Sequence, residues 1–118
     1  MTKVTFGKYG EDLACRYLQK QGYKILERNF RIRGGEIDIV ALDGKTLIYV
    51  EVKTRTSHQF GLPEESITPF KISFLKRAAK FYRNSRRNLP NLERIDAVAI
   101  DLVDPQNPQI RLIKNASF

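Results

Sequence analysis

The sequence predicts an α/β protein, a mixed sheet flanked by helices in the order α-β-β-β-α-β-β. Three observations carry that expectation. Two segments repeat apolar residues at helical spacing: Leu13, Ala14, Tyr17 and Leu18 in one, and Phe74, Leu75, Ala78, Phe81 and Tyr82 in the other. Between them, residues 36–54 alternate with the period of two that belongs to strands. At 118 residues, 42% of them hydrophobic, the chain has the size of one domain, residues 1–118, with apolar surface for one core.

The first helix is expected from Phe6 to Gln21, with Gly22 where a C-terminal cap belongs. Gly7 and Gly10 on nearby directions let its backbone approach the sheet closely. A strand follows over Ile25–Arg31, then a Gly34-Gly35 turn. In the alternating stretch, Ile37, Ile39 and Ala41 take one parity, and Glu36, Asp38 and Val40 the other. Beyond Asp43-Gly44, Ile48, Val50 and Val52 alternate with Tyr49, Glu51 and Lys53. Two alternating runs joined through Asp-Gly read as a β-hairpin. Residues 55–68, with Gly61 and Pro63, form an irregular loop. Thr68-Pro69 opens the second helix, Thr as N-cap and Pro in the first helical position, and Asn88-Leu89-Pro90 closes it. Ile95–Leu102 is the dense apolar run of a buried strand. After a turn from Asp104-Pro105 to Pro108, Ile110 and Leu112 mark a short last strand.

Charge narrows the function. Lys and Arg number 21 against 13 Asp and Glu, a net charge of +8, which calls for a polyanionic partner. The bases cluster: no acid lies between Ser66 and Leu92, while that segment carries Lys71, Lys76, Arg77, Lys80, Arg83, Arg86 and Arg87. Such a row is either a solvated face or a set of phosphate contacts, and the absence of balancing acids favours phosphate. No apolar run approaches the ~18 residues that span a bilayer. Residues 1–10 lack the apolar stretch of a signal peptide, so a cytoplasmic protein is expected. A lone Cys15 and a lone His58 exclude a disulfide framework and a Cys/His zinc site, so a metal would have to sit on carboxylates. Cys15 reads as a small helix-core residue, His58 as a loop residue within reach of DNA, and Asp96 as a structural acid bonded to backbone or an Arg.

With Asp43 and Gly44 at the hairpin tip, Asp38 faces Tyr49 and Glu36 faces Glu51. Glu36, Asp38, Tyr49, Glu51 and Lys53 then share one sheet face. Like charges facing each other cost energy unless neutralised. The pattern fits a solvated hairpin face, or a face that holds a divalent cation between the acids and a phosphate. Glu11 lies within the apolar stripe of the first helix, either snorkelling from its edge or aimed at a site on the sheet. Glu36 and Tyr49 read as a solvated acid and a packed aromatic before any role with water or phosphate.

Asp38, followed by Glu51-Val52-Lys53, resembles the PD-(D/E)XK nuclease pattern. The wider text resembles the YraN family of small bacterial proteins, itself similar to archaeal Holliday-junction resolvases. The matching blocks are Gly10-Glu11-Asp12-Leu13-Ala14, Asn29-Phe30-Arg31, 35–41 and 50–55, with Lys71, Ala78-Ala79 and 95–100. Ile37 stands where the superfamily name expects Pro. The resemblance implies a restriction-endonuclease-like fold and a Mg²⁺- or Mn²⁺-dependent endonuclease. In that reading Asp38, Glu51 and the Val52 carbonyl are metal ligands, Lys53 is the catalytic lysine, and Glu11 is the helix-borne acid. Branched or structured DNA is the expected substrate, and a homodimer would supply two active sites for two cuts. Arg55, Lys71, Lys76, Lys80, Arg83 and Arg87 are the expected phosphate contacts. The alternative is a non-catalytic nucleic-acid-binding module of the same fold. A basic membrane-surface protein is disfavoured, because the apolar face of the basic helix is needed for the core.

Overall fold

The computed structural model describes residues 2–116. Its elements are α1 (Lys3–Lys20), β1 (Lys24–Ile32), β2 (Gly35–Asp43), β3 (Thr46–Arg55), a 3-10 turn (Pro63–Ser66), α2 (Pro69–Ser85), β4 (Leu92–Asp101) and β5 (Gln109–Ile113). The order is the predicted one. α1 begins three residues before its apolar spacing does, because Thr2 is the N-cap and its hydroxyl accepts the Thr5 N–H at 3.3 Å. It ends in a Schellman motif. The Tyr23 N–H reaches the Leu18 carbonyl, the Gly22 N–H reaches the Gln19 carbonyl, and Gly22 takes φ 93°. α2 starts as predicted, with Pro69 first and the Thr68 hydroxyl accepting the Lys71 N–H. It stops at Ser85, so Arg87, expected on the helix, lies beyond it.

The five strands form one sheet in chain order, antiparallel throughout except for the parallel pair β3 and β4. A parallel neighbour cannot be reached through a tight turn, and α2 is the crossover between them. α2 therefore covers one face while α1 covers the other. Ile37, Val40, Leu47 and Tyr49 pack on the α2 side with Ile72, Leu75, Ala78 and Tyr82. Ile39, Ala41, Ile48 and Val50 pack on the α1 side with Ala14, Cys15 and Leu18.

Two sequence expectations are corrected here. First, Ile37 does not share a face with Ile39 and Ala41, and Val40, which took the parity of Glu36 and Asp38, is core, as is the packed aromatic Tyr49. A central sheet covered on both faces is apolar at both parities. The alternation itself breaks at Asp38, beside Asn29 of β1, which takes a left-handed φ of 55° between the pairs Arg28–Ile39 and Phe30–Ile37. Second, the hairpin is offset by two residues. Asp43 pairs with Thr46, so Gly44 and Lys45 form the tip, with Gly44 at φ 59°. A positive φ at the first central position is what a type II′ turn demands of its glycine. Extending this register sets Asp38, not Glu36, opposite Glu51.

Close approaches hold the helices on the sheet. A Cβ on Gly10 of α1 would lie 1.9 Å from Oγ1 of Thr54 on β3, whereas one on Gly7 meets nothing within 4 Å, so Gly10 alone makes the contact expected of both. A Cβ on Gly35 would lie 2.6 Å from the Phe74 carbonyl oxygen of α2. Asp96 on β4 is fully buried and structural, as read from the sequence. It accepts from Tyr23 Oη at 2.7 Å, from Arg94 Nε at 2.8 Å and from the Asn115 N–H at 3.0 Å.

Candidate active site

The site lies where the hairpin strands part. The β2–β3 ladder runs from Asp43–Thr46 to Ile39–Val50 and ends there. β2 continues beside β1, and β3 continues beside β4. Asp38 occupies the opening, and its carboxylate accepts the Val52 N–H at 2.7 Å in place of a strand partner. In an extended strand the N–H and C=O of one residue point to the same side. The Val52 carbonyl therefore faces the same opening, free of the ladder to β2.

Glu51 immediately precedes Val52 and is 9% exposed. It does not share a simple face with Asp38. Asp38 lines a cavity on the α1 side with Glu11 and Lys53, while Glu51 lines a neighbouring one on the α2 side with Lys71. Shared parity is thus not what brings the carboxylates together. The parted strands do, by letting Asp38 lie between the faces.

Burial pushes the Asp38 carboxyl up to about 6; its bond to Val52 opposes the rise, and Glu11 and Glu36 add to it. Glu51 is pushed up to about 8, first by burial and then by the Asp38 charge. Such a pair holds a proton that isolated carboxylates would have released. Lys71 lowers both, and Lys53 lowers Glu51. Lys53 itself is shifted down, by burial and then by Lys71 and Arg55.

α1 brings Glu11 to the same opening because Gly10 lets its backbone rest on Thr54. Burial raises the Glu11 carboxyl against the pull of Arg28 and Arg31. Glu11, Asp38, Lys53 and Arg55 share a cavity of about 630 Å³. The Nε of Arg55 is buried there without a hydrogen-bond partner among the described residues.

The basic segment is less uniform than its sequence. Lys71 stands at the site beside Glu51, while Lys76, Lys80 and Arg83 line a separate cavity with Tyr49 and Glu93. Arg83 Nε donates to Glu93 at 2.6 Å, and Arg86 pairs with Glu27 at 2.9 Å. Acids outside the basic segment, Glu93 on the next strand and Glu27 on β1, therefore balance bases that looked unopposed. Tyr49 is the packed aromatic, its hydroxyl donating to Glu93 at 2.8 Å. Glu36 is an exposed acid paired with Arg31 at 3.3 Å, and His58 is held by Asp101. Asn29, which sequence reasoning matched only within the family block, is the residue to which it gave no role at the site. It takes a left-handed φ of 55° on β1 beside Asp38. Its signal was its type, since Asn is the non-glycine residue that most readily takes a left-handed φ.

A five-stranded mixed sheet between two helices, with Asp38 and Glu51-Val52-Lys53 at the parting of its central hairpin, defines a mixed α/β protein, the architecture that the PD-(D/E)XK resemblance implied. The pattern of an uncharacterised protein family, UPF0102, matches residues 10–100. The chain belongs to that family, which is the YraN family its sequence resembles. It is 50% identical over 112 residues to a UPF0102 protein of Geobacter metallireducens, covering 95% of this chain and 91% of the relative. A UPF0102 protein of Geobacter sulfurreducens is 47% identical over 110 residues, covering 93% and 86%. One from Syntrophomonas wolfei is 49% identical over 111 residues, covering 93% and 95%. Among the described residues, no helix is long and apolar enough to cross a membrane.

Proposed function

We propose that this protein is a metal-dependent endonuclease that hydrolyses phosphodiester bonds in branched or otherwise structured DNA. One observation carries the reading: two buried carboxyls, Asp38 and Glu51, flank the parting of the central hairpin near Lys53, in a chain of net charge +8. Ionising both acids there is costly, and a divalent cation offsets that cost. Magnesium takes one or two carboxylates and leaves positions for water and phosphate, which suits this donor set. Asp38, Glu51 and the Val52 carbonyl would hold Mg²⁺ or Mn²⁺, which when bound supplies Lewis-acid polarisation of the phosphate.

The other residues act from the chain itself. Lys53 brings positive charge to the opening, where it favours the transition state as charge grows on the phosphoryl oxygens. Arg55 shares that cavity and presents a planar donor suited to phosphate. Glu11 faces Asp38 across it and offers an acceptor that can orient a water. Lys71, Lys76, Lys80 and Arg87 extend the positive surface for backbone phosphates. Symmetrical cutting of a junction requires two such sites, hence two copies of the chain.

The test is single-turnover cleavage of duplex, single-stranded, flap and four-way-junction DNA with Mg²⁺ and Mn²⁺, with binding measured in parallel in Ca²⁺. Asp38→Asn and Glu51→Gln should abolish cleavage and keep binding. Lys53→Ala should lose rate by roughly a hundredfold or more. Binding without turnover in any metal would make the chain a non-catalytic nucleic-acid-binding module. Undiminished cleavage by Asp38→Asn would refute the assignment.

A further inference from the structure

On the α2 side of the opening lies a second cavity, of about 390 Å³, within the range of small-ligand sites. Glu51 is part of its lining, with Phe70, Phe74, Lys71 and the ion pair of Arg31 with Glu36. The two rings differ in what they already do. Phe74 and Phe70 form a T-shaped pair at 4.7 Å, and Phe74 carries the Arg77 guanidinium 5.4 Å from its centroid. Phe70 is 69% exposed, although it sits at the second position of α2, where any polar residue would serve the helix. An exposed aromatic ring beside Lys71 and the Arg31–Glu36 pair fits a ligand that joins a flat ring to an anion. That describes a nucleotide: a base stacks on an aromatic face, and its phosphate pairs with the cation.

We infer that this cavity receives an unpaired nucleobase of the DNA, stacked on Phe70, with the flanking phosphate on Lys71. The inference rests on the nuclease reading and sharpens its substrate. A base inside a duplex already has its faces covered and is extruded only at a cost. Flaps, bulges and junction branch points present unpaired bases without that cost. Phe70 is then a positioning residue that seats the strand next to Glu51, and the enzyme prefers DNA with an unpaired nucleotide at the site of cutting.

The chain has no tryptophan, so Phe70→Trp installs a single fluorescent reporter. Phe81→Trp, at a position 54% exposed on the same helix, is the control. Each variant is titrated in Ca²⁺ with flap DNA, and with the same flap made abasic at its unpaired nucleotides. Anisotropy of labelled DNA reports binding in parallel. The expected result is quenching of Phe70→Trp by the flap, no quenching of Phe81→Trp, and roughly tenfold weaker binding of the abasic flap with its quenching lost. Bound DNA that leaves Phe70→Trp unquenched, or equal quenching by the abasic flap, overturns the inference and leaves the nuclease reading standing. No DNA bound in the anisotropy arm overturns both.

Discussion

Protons and metal should compete for the carboxylate pair, and the competition is measurable as stability. The unfolded chain carries Asp38 and Glu51 at their ordinary values of 3.8 and 4.5, while the fold pushes them up to about 6 and about 8. Between about pH 4 and 8 the metal-free fold therefore holds protons that the unfolded chain has released, and stability falls as pH rises through that window. A carboxyl raised from 3.8 to about 6 corresponds to roughly 3 kcal/mol, and one raised from 4.5 to about 8 to roughly 5 kcal/mol. The two share one proton pool and relax around each other, so the expected loss between about pH 5 and pH 8 is on the order of 2–4 kcal/mol. Glu51→Gln removes the acid that resists ionisation and keeps its shape. In chelator near pH 8 this variant should be more stable than the parent by about 2 kcal/mol, a rise in Tm of roughly 8 °C for a chain of this size. Near pH 5 the two should converge. Magnesium should stabilise the parent most at the high-pH end, where protons no longer compete, and should do little for the variant. Thermal melts followed by circular dichroism, with chelator or Mg²⁺ across this range, make the comparison. A parent whose metal-free stability is flat with pH, or a Glu51→Gln variant that gains as much from Mg²⁺ as the parent, would refute the reasoning.

Gly35→Ala should cost on the order of 3 kcal/mol, because its Cβ would meet a backbone carbonyl at 2.6 Å, and more than Gly10→Ala, whose obstacle is the Thr54 hydroxyl. Denaturant titration of both, with Gly10→Ala repeated in a Thr54→Ala background, checks the order; recovery in the double variant is expected. Asp96→Ala should cost roughly 2–4 kcal/mol, since it removes the buried acceptor shared by Arg94 Nε, the Tyr23 hydroxyl and the Asn115 N–H, while Asp43 still pairs with Arg94. Chemical denaturation reads this, and a loss below about 1 kcal/mol would contradict the buried network. Lys76→Ala with Lys80→Ala should weaken DNA binding across unrelated sequences and flatten its salt dependence by about one unit of slope per lost contact. Arg83→Ala should act on the Glu93 pair instead, so a melt that moves more than the salt slope is the expected signature.

Local chemistry was enough for the order of elements and for two of the helix caps, the end of α1 and the start of α2. Thr68-Pro69 and Gly22 act within a few residues of themselves, so nothing distant can reassign them. The spacing of Asp38 from Glu51-Val52-Lys53 also marked the candidate residues, because a motif survives in sequence whatever the register. The register did not. Asp43-Gly44 and Gly44-Lys45 are both acceptable two-residue tips, and the choice shifts every cross-strand partner by two without changing its parity.

What the sequence by itself determined about this protein was the α/β class, the helix and strand segments, and the residues on which a metal reading rests. Only the tertiary structure decided how those residues meet. The crossover through α2 buries the second face of the sheet, so parity ceased to separate core from solvent at Val40 and Tyr49. The parting of β2 from β3 carries Asp38 between the faces, and Glu93 on β4 and Glu27 on β1 neutralise Arg83 and Arg86. Periodicity records how a side chain alternates about its own strand. Which helix lies over it, and which charge comes to rest beside it, depends on segments tens of residues away, and no local pattern encodes that.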